Sequence, residues 1–140
     1  MALLPRRGFF ACAMGLVVQG MLPRGGPGPA GGQTGSTSRF GMFGKVIAQP
    51  GQRDALVQIL LAAAELVAKA PGCELYIVHI SPTEPETVWV TEVWRSEADH
   101  DASLSIDGAR ELISRARPLI AGAPEAIRTI PVGGKGLTIA

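Results

Sequence analysis

Between Pro71 and Ser96 the chain reads PGCELYIVHISPTEPETVWVTEVWRS, two runs rich in β-branched and aromatic residues joined by a polar turn. Runs of this kind, bounded by Pro, Thr, Ser and Glu, predict a hairpin with a moderately long loop. Their apolar residues fall on both parities: Leu75, Ile77 and Val93 on one, Val78, Ile80, Val88 and Val90 on the other. Successive strand side chains point to opposite faces, so the hairpin belongs to a sheet that must be covered on both sides. The same stretch holds Tyr76, His79, Glu92 and Trp94, most of the side chains suited to line a site for a flat organic molecule.

The flanking sequence supplies cover for one face. Phe40 to Ala48 reads as a first strand ended by Pro50-Gly51. From Gln52 to Ala70, Leu56, Ile59, Leu60, Ala63, Leu66 and Val67 recur at spacings of three and four, which predicts one apolar helix face. Pro71-Gly72 stops that helix. Ser96 followed by Asp99 resembles a capping box and predicts a short helix from Glu97 to about Leu104. Asp107 is the expected cap of a further helix through Arg117, broken near Pro118, and Ala126 to Val132 is the expected last strand. The order β-α-β-β-α(α)-β predicts an α+β domain of ferredoxin-like type, an antiparallel sheet with helices on one face. The other face then needs a second copy of the chain, so a homodimer is expected.

Ahead of this domain the composition changes. Arg6 and Arg7 precede Phe9 to Val18, FFACAMGLVV, and Gln19 to Gly35 is a Pro/Gly-rich stretch without apolar period. A basic start, ten mostly apolar residues and a small-residue segment predict an export signal rather than a span, which needs roughly twenty apolar residues. Pro-Arg-Arg-Gly-Phe-Phe resembles a twin-arginine signal, although Pro5 stands where Ser or Thr is usual. The expected organisation is residues 1–30 as signal and leader, 31–38 as linker, 39–132 as the folded domain and 133–140 as a flexible tail. The destination is then periplasmic or extracellular, with no stable membrane span after signal removal; a mis-assigned start would leave the chain cytoplasmic.

Loss of Arg6, Arg7 and Arg24 would leave ten basic against twelve acidic residues, a formal net charge of −2. A slightly acidic domain without a Lys/Arg cluster lacks the footprint of a nucleic-acid binder, which points to a small-molecule or protein partner. Cys73 would remain without a second cysteine and reads as a small buried hydrophobe. No HxxH, CxxC or carboxylate-histidine cluster of metal-site spacing is present. Glu92, between Val90 and Trp94 on one strand face, is the carboxylate expected to be buried, bridged to Arg110 or Arg115. His100, between Asp99 and Asp101, is expected on a solvated helix face.

From about Phe40 to Val132 the chain resembles the antibiotic biosynthesis monooxygenase family, dimeric α+β barrels that include quinol and anthrone oxygenases. The resemblance is carried by Pro50-Gly51, Pro71-Gly72-Cys73 with Tyr76 and His79, Glu92-Val93-Trp94 with Ser96, and Pro118-Leu119-Ile120-Ala121-Gly122. It implies a monooxygenase that oxidises a small aromatic, quinol or anthrone-type substrate with O₂ and needs no metal or flavin. Trp94 would wall the aromatic slot beside Val90 and Glu92, and Tyr76 and His79 are the implied catalytic groups, His79 as a base or as a loop anchor. Valine at 90, where some catalytic relatives have Asn, and Ser103 and Gly108, where histidines are frequent, favour the alternative of a non-catalytic dimeric binding or stress-response module. Gly44 and Leu104 stand where the haem-degrading cousins of the fold carry Asn and an axial His, which argues against haem.

Overall fold

A computed structural model describes residues 38–137. The segments read as signal and leader, and nearly all of the expected linker, therefore lie outside the described residues, as does the end of the expected tail. Strand β1 (Phe40–Ile47) leads through α1 (Arg53–Val67) to the hairpin β2 (Cys73–Ile80) and β3 (Thr87–Trp94). Two short helices, α2 (Glu97–Ser103) and α3 (Ala109–Ala116), and a 3₁₀ turn at Arg117–Leu119 precede β4 (Glu125–Thr129). The sheet order is β2-β3-β1-β4 with antiparallel neighbours throughout, the ferredoxin-like arrangement. No helix among the described residues is long and apolar enough to cross a membrane.

Each element follows from local chemistry. The period read in α1 buries Leu56, Ile59, Leu60, Ala63 and Val67, while Leu66 is only half-buried. Ser96 caps α2 as expected, its hydroxyl accepting from the Asp99 amide at 3.1 Å. Among the boundaries that differ from the sequence reading, two have a clear local cause. Asp107 does not cap α3: the chain turns left-handed at Gly108 (φ 93°), and the helix starts with no side-chain cap. The last strand ends at Thr129 rather than Val132, just before Pro131, which has no N–H to give to a ladder.

Cross-strand pairing sorts the two faces. On the helix side, Tyr76, Glu92, Met42 and Arg128 form one row across all four strands. Val78, Val90, Gly44 and Ala126 form the next. A bulge between Cys73 and Leu75 sets Cys73 opposite Trp94, which alternation alone would have placed on the other face. Two apolar clusters fill the space under the helices, one around Val46, Leu56, Leu60, Val88 and Val90, the other around Phe40, Met42, Val67 and Trp94. The opposite face carries Phe43, Ile47, Leu75, Ile77, Trp89 and Ile127, all exposed in the single chain.

Candidate functional site

The second cluster contains charge-bearing side chains where apolar ones would suffice. Glu92 is 2% exposed and Trp94 1%. The indole Nε1 of Trp94 donates to Glu92 Oε2 at 2.9 Å. Oε1 of the same carboxyl is sealed from solvent with no partner, and so is the Tyr76 hydroxyl oxygen. Tyr76 and Glu92 are directly opposite on β2 and β3, so the two orphaned groups come from adjacent strands on one face. The arginine bridge expected for Glu92 does not form: its hydrogen bond goes to Trp94, and Arg110 and Arg115 lie on α3 among exposed positions.

Burial pushes the Glu92 carboxyl up to about 7 against the single lowering effect of the Trp94 hydrogen bond. The Tyr76 phenol is pushed well above its ordinary value by burial and, secondarily, by Glu92. The same two causes, in the same order, raise the half-buried free thiol of Cys73. A small cavity of about 20 Å³ lies among these side chains, walled by Tyr76, Glu92 and Trp94 from the sheet. Ala63, Leu66 and Val67 of α1, Ser103 and Leu104 at the end of α2, and Ala109 and Ile113 of α3 close it. That space is of the order of one water molecule.

Three of the five sequence-derived site residues therefore meet: Tyr76, Glu92 and Trp94. Val90 shares their face but lies one row away, packed in the apolar cluster, and does not border the cavity. His79 is on the opposite face, exposed, with Nε2 3.0 Å from the Thr91 hydroxyl, so it cannot share a site with Tyr76 inside one subunit. The residue that sequence reasoning missed is His100. Rather than facing solvent it is 1% exposed, packed against Phe40 (ring centroids 4.8 Å apart) and edge-on to Trp94 (5.6 Å). Its spacing of three residues from Ser103, also buried, was the available signal.

A larger, open cleft of about 390 Å³ lies at the outer edge, bordered by Arg39, Phe40, Glu97 and Arg128. Its charges are mutually satisfied, Arg39 by Glu74 and Arg128 by Glu97, both at 2.6 Å. Two of the four buried polar atoms left without a partner among the described residues, Glu92 Oε1 and the Tyr76 hydroxyl oxygen, belong to residues that line the small cavity, and that is where we place the candidate site. Among the described residues no three His, Cys, Asp or Glu side chains come together as a metal site would need.

Comparison with known proteins bears on this arrangement. The sequence pattern of the antibiotic biosynthesis monooxygenase family matches residues 40–115. A solved protein of Chloroflexus aurantiacus, provisionally named an antibiotic biosynthesis monooxygenase, is 46% identical with a TM-score of 0.64, over 69% of this chain and 96% of its own. The chain belongs to the antibiotic biosynthesis monooxygenase family. A Caulobacter crescentus structure with the same provisional name, at 24% identity and a TM-score of 0.64 over 69% of this chain and 92% of its own, shares the fold. So does a Nitrosomonas europaea protein of unknown function, at 24% identity and a TM-score of 0.61 over 76% and 100%. No curated protein matches the chain. As a member of this monooxygenase family, the chain sets its cavity between sheet and helices with Tyr76, Glu92 and Trp94 on the sheet wall.

Proposed function

We propose that this chain is a monooxygenase that oxidises a small phenolic, quinol or anthrone-type substrate with O₂, drawing the electrons from the substrate itself. The observation that carries the reading is Glu92 Oε1, a buried carboxylate oxygen without a partner beside an equally unpartnered Tyr76 hydroxyl. A carboxyl held near 7 is matched to proton transfer at neutral pH. Ionised Glu92 takes the acidic proton of the substrate, and the Tyr76 hydroxyl donates to the oxygen that becomes anionic. The anion passes one electron to O₂, and the resulting radical and superoxide combine into a carbon-bound peroxide. The proton on Glu92 completes the hydroperoxide, which loses water; for a methylene substrate the balance is R₂CH₂ + O₂ → R₂C=O + H₂O. Trp94 keeps the other carboxyl oxygen fixed and adds an aromatic wall.

Pockets for molecules of this size run to about 300–1,000 Å³, so the cover formed by α2 and the start of α3 must move outward to admit substrate. The test is oxygen uptake with reduced naphthoquinols, anthrones and catechols, without added metal or flavin. Uptake above autoxidation that falls by about two orders of magnitude in Glu92→Gln, with the fold intact, is the expected result. Uptake equal to autoxidation across the panel would reject oxygenation. The second reading, a non-catalytic binding module, is favoured by Val90, Ser103 and Gly108 at positions where catalytic relatives tend to carry Asn or His, and ligand-induced changes in Trp94 fluorescence without turnover would establish that reading instead.

We also propose that the working form is a homodimer joined through the open sheet face. The exposed Phe43, Ile77 and Ile127 lie in one row with Thr91, an apolar band across all four strands, which supports this assembly.

A further inference from the structure

A buried histidine needs an explanation that a leucine or phenylalanine at the same position would not. His100 Nδ1 lies 3.0 Å from Asp101 Oδ1, and Nε2 is sealed from solvent with no partner. Since an ionised carboxylate only accepts, Nδ1 carries the proton and Nε2 is a bare acceptor in the neutral ring. The hydrogen bond satisfies the buried Nδ1–H and, in doing so, fixes the tautomer and the ring's rotation. One face of the geometry is Phe40, tilted at 46°, and the other is Trp94 at 82°, a T-shaped contact. Trp94 in turn packs in the apolar cluster with Met42 and Val67 and donates its indole N–H to Glu92.

We propose that His100 is a positioning residue of this site: tethered by Asp101, it clamps the Trp94 indole so that Nε1–H stays on Glu92 Oε2 and leaves Oε1 turned to the cavity. This rests on Glu92 being the group that carries the proton. The charged and titratable groups facing His100 are Asp101 and Glu97 on α2, Arg128 on β4 and, through Trp94, Glu92 on β3. Burial lowers the proton affinity of the imidazole, so the neutral form in which the clamp operates is the form present at neutral pH. The role is one of orientation, since His100 does not border the cavity.

The test reads the indole N–H directly, by proton–nitrogen NMR of the full chain, the Trp94 signal being the one retained in Trp89→Phe. In His100→Leu the Trp94 indole proton is expected to move upfield toward its unbonded position and to exchange with solvent faster, on the order of tenfold. The pH midpoint at which Glu92 titration moves that signal should rise, because the bond that lowers it is weakened. Asp101 is largely exposed, so Asp101→Ala folds even if His100→Leu does not, and should shift the signal in the same direction by less. An indole signal and midpoint unchanged in the folded variants would overturn the clamp. If these shifts occur but no oxygen is consumed, the positioning role stands and the oxygenation reading falls; if oxygen is consumed and the signal does not move, the reverse holds.

Discussion

At Glu92 two physical effects pull on one proton in opposite directions. Burial disfavours the charge, the Trp94 bond favours it, and burial is the larger. Below about pH 4.5 the carboxyl is protonated in folded and unfolded chains alike and contributes nothing to their difference. Between 4.5 and about 7 only the unfolded chain releases the proton, so this group makes folding less favourable as pH rises, by about 3 kcal/mol in all. His100 acts with the opposite sign: its lowered proton affinity means the unfolded chain protonates first as pH falls below 6.5, and stability is lost toward acid. Glu92→Gln removes the first slope and keeps the second. Urea unfolding of both proteins should therefore show the variant gaining about 3 kcal/mol on the wild type between pH 4.5 and 8. Parallel pH profiles would mean that Glu92 ionises as freely in the folded chain as in the unfolded one. The burial of Glu92 was legible in sequence from its place between Val90 and Trp94, but its partner was not, because a partner two residues along the same strand face is set by side-chain torsions rather than by spacing.

Strands and the long helix were legible from local signals: runs of β-branched and aromatic residues bounded by turn residues for the hairpin, spacings of three and four for α1. The cover over the cavity was less so. The inner face of α2 is His100 and Ser103, with Ser96 at its cap, polar residues that hydropathy assigns to solvent. What holds this helix down is a latch. Arg95 and the Ser96 hydroxyl both donate to the Asp99 carboxylate, at 3.1 and 2.9 Å, and the Arg95 amide donates to the Gly72 carbonyl at 2.8 Å. Those donors hold the Asp99 carboxyl below its usual range. Gly72 is left-handed at φ 86°, and a Cβ there would lie 2.5 Å from the Asp99 carboxyl. Gly72→Ala should therefore cost about 1–3 kcal/mol through both strain and collision, whereas Ser96→Ala should cost about 1 kcal/mol through loss of the cap and of the hydroxyl's bond to the Asp99 carboxylate. If the latch also governs entry to the cavity, both variants should bind a fluorescent phenol faster by stopped flow. Unchanged association rates with lowered stability would confine the latch to a structural role.

At the scale of the whole molecule the sequence made one demand that the single chain leaves unmet: strands apolar on both faces. The helices cover Met42, Val46, Val88 and Val90, while Phe43, Ile47, Leu75, Ile77 and Ile127 remain between 37% and 62% exposed. Trp89 and Lys45 extend that face, the ammonium 5.3 Å from the indole ring centre, a contact that water weakens and a dry interface would strengthen. Two copies stacked sheet on sheet would remove the band from water, and about 800 Å² buried on each would make the pair stable at micromolar concentration or below. A carboxylate in the middle of the band tests this without touching the cavity, because Phe43 points away from the helices. Phe43→Glu should sediment as a monomer where the wild type sediments as a dimer, and should expose Trp89, whose emission would shift to the red. The site then supplies the functional half of the measurement. Trp94 and Glu92 lie within one subunit, so a monomeric Phe43→Glu chain that keeps its Trp94–Glu92 hydrogen bond but loses oxygen uptake would show that pairing stiffens the sheet wall. A Phe43→Glu chain that remains a dimer would place the partner on another surface.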